Sequence, residues 1–359
     1  MTQGIKELRS IRLKRETTPG IRVVPRFLWR GSGDMPEDAR EVMEIEEQIG
    51  IIGGSNRTVI PRLAGQISFA DTEATFEQLS DLLLAAGLGT TVAGGAYQGT
   101  MIGAGSSCFQ ELVFPSSQTF PVVSYTIEAG NNVEAEVLPY AIVTQFTLSG
   151  AGGEPLRYSA DWSARYVDRT NDSGTFSAIG TISDVETILA SRGSIWLSDT
   201  PTNWGTGLVP AGNILSFEMS VESQWEWKYS VDSGTTYPYR AVLTSQGISG
   251  QFTFEHQIDG TFGMAGTAGV KQRWRDQVAQ LMQVEFVGGT ITDGSVGTAS
   301  KKLLVRLPIK YLEIGGLDDQ NGNDIVQASW VSRYNPTTPA AGRGTIQIIR
   351  RGTSEFSGA

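Results

Sequence analysis

Few residues in this chain have the chemistry that a catalyst needs. His256 is the single histidine and Cys108 the single cysteine of 359 residues. That removes the commonest general base and metal ligand from most of the chain, and it excludes an intrachain disulfide or a cysteine-built zinc site. Cys108 reads as a small packing residue and His256 as a histidine on a strand face. Asp318-Asp319-Gln320-Asn321-Gly322-Asn323-Asp324 is rich in oxygen ligands. It does not meet the glycine and closing glutamate positions of an EF-hand, so it reads as a turn between strands. Gly103-Ala104-Gly105-Ser106-Ser107 and Ala93-Gly94-Gly95-Ala96 have neither the lysine nor the following helix of a phosphate cradle. Carboxylates are plentiful, but nothing in their spacing sets two of them across a cleft for glycosidase chemistry. The expectation is a non-enzyme with no metal and no cofactor.

Charge narrows the partners. The net charge is −10, the wrong sign for a protein that grips nucleic acid by neutralising phosphates. It is unevenly spread. Residues 1–30 hold a cluster that includes Arg9, Arg12, Lys14 and Arg15, whereas Asp34 to Glu47 is strongly acidic. The basic cluster is expected to act as an arm between subunits or rings, meeting the acidic segment of a neighbour. No basic-then-apolar leader and no run of roughly 20 apolar residues is present, so a soluble protein made in a cytoplasm is expected.

The elements come into view through an internal repeat. Ile11-Arg12-Leu13 recurs as Ile195-Trp196-Leu197, an offset of 184, and Gly65-Gln66-Ile67-Ser68-Phe69 as Gly250-Gln251-Phe252-Thr253-Phe254, an offset of 185. Leu138-Pro139 recurs as Leu307-Pro308 and Trp162-Ser163-Ala164-Arg165-Tyr166 as Trp330-Val331-Ser332-Arg333-Tyr334, with offsets of 169 and 168. Between these anchors each half has one stretch of helical spacing. In the first it is Phe76, Leu79, Leu82, Leu83 and Ala86, ended by Gly87; in the second, Trp274, Val278, Leu281 and Met282. The spacing therefore predicts a mainly β (α+β) chain of two tandem domains, 1–185 and 186–359, each with one flanking helix. A single insertion of about sixteen residues in the first copy, within 88–138, explains the change of offset.

The clearest strand runs from Leu215 to Tyr229. Phe217, Met219, Val221, Trp225 and Trp227 share one face, interrupted only by Ser223, while Glu218, Glu222 and Glu226 lie on the other. So long a strand leaves edges that invite pairing with other chains, and closing copies into a ring removes them. Glu218, Glu222 and Glu226 are then candidates to face a lumen.

Arg15-Glu16-Thr17-Thr18-Pro19-Gly20, Ile49-Gly50-Ile51-Ile52-Gly53-Gly54 and Thr72-Glu73-Ala74-Thr75-Phe76-Glu77-Gln78-Leu79 resemble the tail tube (major tail) proteins of long-tailed bacteriophages. The two Trp-x-x-Arg-Tyr segments resemble the closing strand of each tube domain. The resemblance covers most of the chain and is strongest from Arg12 to Gly87; the segment between Leu88 and Leu138 departs from it. It implies tail-tube-type β-sandwich or barrel domains, a homotrimeric pseudo-hexameric ring, and stacking of rings into a virion tube that conducts genomic double-stranded DNA. The implied partners are the chain itself, the tail tip or initiator, the tape measure and the tail terminator proteins, with no membrane. The alternative readings are a carbohydrate-binding or adhesin-type β module and the tube protein of a related contractile injection system.

Overall fold

The computed structural model describes residues 4–48, 50, 57–88, 101–102, 107–113, 122–169, 176, 184–199, 209–210, 214–231, 234–256, 269–293, 297–320, 322–333 and 344–351. Among sequence features, Ile51 to Gly54, most of the glycine-rich run before Gly105, Phe114 to Ser117 and Tyr334 lie outside these residues, as does the side chain of Cys108. The protein is mainly β, with two short α-helices among the described residues, none of whose helices is long and apolar enough to cross a membrane.

The principal elements of the first half are β1 (Ser10–Arg15), β2 (Glu37–Asp38), β3 (Gly65–Glu73), α1 (Leu79–Ala85), β4 (Tyr125–Gly130), β5 (Ala135–Ala151) and β6 (Arg157–Ala164). Those of the second half are β7 (Gly193–Ser198), β8 (Ile214–Lys228), β9 (Arg240–Glu255), α2 (Val270–Arg275), β10 (Gln280–Asp293), β11 (Gly297–Ile314) and β12 (Asn323–Ser332). Pairing follows the same order in both. β1 pairs with β4, β4 with β5, β5 with β6, β6 with β3 and β3 with β2. Likewise β7 pairs with β10, β10 with β11, β11 with β12, β12 with β9 and β9 with β8. Every pair is antiparallel, so alternate residues turn to core and solvent.

The repeat extends to small details. The Arg165 N–H donates to the Pro139 carbonyl at 3.2 Å, and the Arg333 N–H to the Pro308 carbonyl at 3.0 Å. Trp162 and Trp330 are both fully buried, 5.6 Å from Phe69 and 5.7 Å from Phe252 respectively. Their ladders differ by two residues: Trp162 stands opposite Ile67, whereas Trp330 stands opposite Gly250, the counterpart of Gly65. A slip of two keeps every side chain on its own face. Gly250 lets the second tryptophan lie flat on the strand, since a Cβ there would come within 2.3 Å of the Trp330 ring.

Register also corrects the single sixteen-residue insertion. Leu13 pairs with Ile127 and Leu197 with Met282, and 282 less 127 is 155, against the offset of 185 at Gly65. The first half is therefore 30 residues longer between β3 and β4. The β10–β11 hairpin, where Met282 faces Leu307 as Ile127 faces Leu138, is longer by 14. The two opposed changes leave sixteen. Part of the long first-half connection, Ser107–Val113, pairs with Thr345–Arg351, which pairs in turn with β11. The extra segment thus widens the sheet of the other half.

The second helix is shorter than its spacing predicts. α2 stops at Arg275, Gln277 takes a left-handed φ of 53°, and the Val278 N–H closes back on the Arg273 carbonyl at 3.0 Å. Leu281 and Met282 belong to β10, opposite Ser198 and Leu197. The ladder overrides the local helical period because it satisfies the backbone and buries both side chains.

The halves are bound by more than the chain. Lys301 Nζ lies 2.6 Å from Glu77 and 3.0 Å from Glu186. Burial alone would raise the Glu186 carboxyl, but hydrogen bonds from Lys301 and the Gly289 N–H outweigh it, and the net shift is downward. Burial would lower the Lys301 ammonium, and its bonds to Glu77 and Glu186 raise it instead. The Glu186 contribution is present above its unfolded pKa and lost as pH falls through the folded one. The Lys301 contribution is present below its unfolded pKa and lost as pH rises through the folded one. The stability lost in Lys301→Met is therefore expected to be largest near neutral pH and to shrink below about pH 4 and above about pH 10, as measured by urea unfolding across pH.

Candidate functional site: a polar sheet face and its open edges

Besides the pairing of Ser107–Val113 with Thr345–Arg351, one long seam joins the halves. The end of β5 pairs with β8, from Gln145 opposite Glu222 to Ala151 opposite Ser216. The result is a single ribbon in the order β2, β3, β6, β5, β8, β9, β12, β11, in which four first-half strands are followed by their four counterparts in the same sequence. The strands curl toward a barrel. No pairing among the described residues joins β2 at one end of this series to β11 at the other.

The ribbon has two unlike faces. One is core: Phe146, Leu148, Met219, Val221, Phe252 and Trp330 are buried. The other carries polar rungs. Glu73, Arg157, Ser149, Glu218, Gln251, Ser329 and Glu313 stand successively opposite one another across seven strands. A parallel rung runs Ser159, Thr147, Ser220, Ser249, Val331, Lys310. A third runs Ser68, Asp161, Gln145, Glu222, Gly247. These rungs set Glu73, Asp161, Glu218, Glu222 and Glu313 against Arg157 and Lys310, and Arg157 is already held by Asp71 at 2.7 Å. Apart from Val331 and Gly247, short hydroxyl and amide side chains fill the remainder, as in the contact between Thr147 Oγ1 and Ser220 Oγ at 3.2 Å. Such a face is smooth, hydrated and weakly anionic.

Glu218 and Glu222 are both exposed at the middle of this face, with Ser220 between them along β8. Glu226, also exposed, lies beyond the seam and is paired at 2.6 Å with Lys228. Ser223, the one break in the apolar stripe of β8, is buried because its Oγ donates to the Ala86 carbonyl at the end of α1, which also accepts from Gln246 Nε2 at 2.8 Å. Periodicity could not have shown that a serine there caps a helix of the other half.

The basic cluster is not a free arm. Arg9 is exposed, but Arg12, Lys14 and Arg15 belong to β1, and Lys14 and Arg15 are half-buried. Arg12 is buried, 3.6 Å from the buried Glu128, and desolvation lowers its pKa against the opposing pull of that carboxylate. The alternation of Ile11 and Leu13 with Arg12 and Lys14 was the signal of a paired strand. Deleting residues 1–14 removes the fully buried Leu13. That deletion is therefore expected to lower the thermal midpoint by several degrees rather than to act on stacking alone, which calorimetry would show.

His256 is half-buried, and its N–H donates to the Asp324 carbonyl at 2.8 Å. Asp318–Gln320 folds back on β12 through a turn in which the Gly322 N–H donates to Asp319 Oδ1 at 2.8 Å. Comparison with protein-family models and with curated proteins finds no match to this chain.

Proposed function

We propose that this chain is a structural virion protein that polymerises as stacked rings into a phage tail tube, three chains to a pseudo-hexameric ring. The polar sheet face lines a conduit for genomic DNA. The observation that carries this reading is the head-to-tail repetition of one strand order within a single sheet, with no pairing among the described residues between its first strand and its last. A heterologous contact of this kind, repeated between chains, generates a ring when its rotation closes. Six domain positions then need three chains.

The chemistry of the polar face fits transit rather than binding. Duplex DNA carries one negative charge per roughly 1.7 Å of axis, and a wall of Lys and Arg would arrest it. Glu218 and Glu222 surrounded by Ser, Thr and Gln offer no such counter-charge. A carbohydrate-binding module is less well supported, because the described tryptophans are all buried or half-buried and leave no open stacking platform. The test is electron microscopy of the purified chain at rising concentration. Annular projections and tubes are expected, and a compact monomer under every condition would overturn the proposal.

A further inference from the structure

We infer that a second copy of this chain completes the open end of the sheet. The β2 edge of one protomer, with its Glu41–Glu44/Thr58–Arg62 ribbon, seats on the Leu312–Asp318 edge of the next and repeats between chains the β5–β8 seam found within one. This inference rests on the ring reading and names the residues that would make its joint.

The argument is one of counterparts. Leu148 lies ten residues past Leu138, stands opposite Met219 in the seam, and is 1% exposed. Leu317 lies ten residues past Leu307, in the same place on the second half, and is 61% exposed. Leu312 is the residue skipped at the β11–β12 bulge, as Thr144 is at the β5–β6 bulge, and it is 57% exposed. No described strand pairs with this edge, although the Leu312 carbonyl accepts from Trp274 Nε1 at 3.0 Å, and two leucines standing in water there mark a site built to be covered.

The covering element has its own counterpart. Beyond the seam the β8–β9 hairpin reaches over the first half. There Trp225 Nε1 donates to the Val143 carbonyl and Trp227 Nε1 to Ser163 Oγ, both at 2.9 Å, and the Trp227 ring meets Tyr140 edge-on at 5.3 Å. In the first half the corresponding ribbon, in which Glu41 pairs with Arg62 and Met43 with Val59, is exposed throughout. It carries Val42, Met43, Val59 and Ile60 as exposed apolar side chains.

The two joints differ in strength. Glu37 pairs with Gln66 and Asp38 with Gly65, as Glu218 pairs with Gln251 and Met219 with Gly250. Carrying the seam register across therefore sets Leu317 opposite Asp38 and Asp318 opposite Glu37, and, past the one extra residue that the second half carries between Ile314 and Asp318, Glu313 opposite Glu41. Within the chain the matching acids face Ser149 and Gln145. In the core-facing places of Met219 and Val221 stand Asp38 and Arg40, joined to each other as an ion pair. Like charges opposite one another weaken a ladder, so the joint between chains is the reversible one, and added salt promotes it by screening.

The test uses the full chain with Cys108 replaced by serine and cysteines introduced as Asp38→Cys and Leu317→Cys. Oxidation of assembled protein is expected to give disulfide-linked multimers that end in a closed species of three chains. If rings or tubes are visible but no crosslink forms here, or with Pro36→Cys or Arg40→Cys in place of Asp38→Cys, the joint is wrong while the ring reading stands. If the unmodified chain forms no rings, both fall. In a second arm, Leu317→Asp is expected to leave the melting temperature unchanged, because the side chain is exposed, and to raise the concentration needed for assembly roughly tenfold or more. Assembly at the wild-type concentration would also overturn the joint.

Discussion

Tubes assembled from a Glu218→Lys, Glu222→Lys variant are expected to retain duplex DNA at about 50 mM salt and to release it by about 200 mM, whereas wild-type tubes retain none at either. Both glutamates are exposed at the centre of the polar face, with Ser149 and Gln145 opposite them, so the exchange leaves the core untouched. In a ring of three chains the two substitutions place six new cations around the bore. Each phosphate neutralised contributes about 0.9 to the slope of log affinity against log salt, so even partial engagement changes retention by orders of magnitude. Co-sedimentation of tubes with linear duplex at several salt concentrations measures this. Equal retention by both proteins would show that these residues do not face the conduit.

Glu16→Ala is expected to cost the fold several kcal/mol, since each buried donor left without its acceptor costs about 1–3 kcal/mol. The carboxylate is buried between β1 and the start of β5. It accepts from the Gly20 N–H at 2.6 Å, Ser124 Oγ at 2.5 Å, Thr126 Oγ1 at 2.9 Å and the Tyr140 N–H at 2.8 Å. Tyr140 holds a left-handed φ of 57° at a bulge in β5, a conformation that a bulky residue keeps only when its surroundings impose it. Its ring then packs on Trp227, and its hydroxyl accepts from the Ala241 N–H at 3.2 Å. Losing Glu16 should therefore loosen the contact between halves as well as the first half itself. A lower urea midpoint at unchanged slope would show a simple loss of stability, and a changed slope would show the halves unfolding separately.

How much of this was legible beforehand depends on whether the signal was local. The duplicated strand order was legible because its anchors, Leu-Pro, Trp-x-x-Arg-Tyr and Gly-Gln-x-x-Phe, mark strands with fixed pairing roles. The amphipathic β8 was legible because period 2 and one buried face coincide. The β5–β8 seam was not, since which edges meet is decided by the whole ribbon and not by any window of sequence. The same nonlocality hid the two opposed length changes, because anchor offsets record only their sum. Leu281 and Met282 misled for the opposite reason: they extend the helical spacing of Trp274 and Val278 but equally suit a buried strand, and only pairing with Ser198 and Leu197 decides between them. Arg12 and Ser223 show how a polar residue in an apolar stripe can mark a partner in another element rather than a surface.

That the β5–β8 seam forms between two halves of one chain has a kinetic consequence. Joining two units in one chain holds their edges at an effective concentration set by the tether, on the order of millimolar for short linkers, so half the joints of a six-unit ring form during folding. Closure then depends on the third power of chain concentration instead of the sixth. Dilute chains would remain separate for long periods, and a preformed template that supplies the first ring would sharply advance the onset of polymerisation.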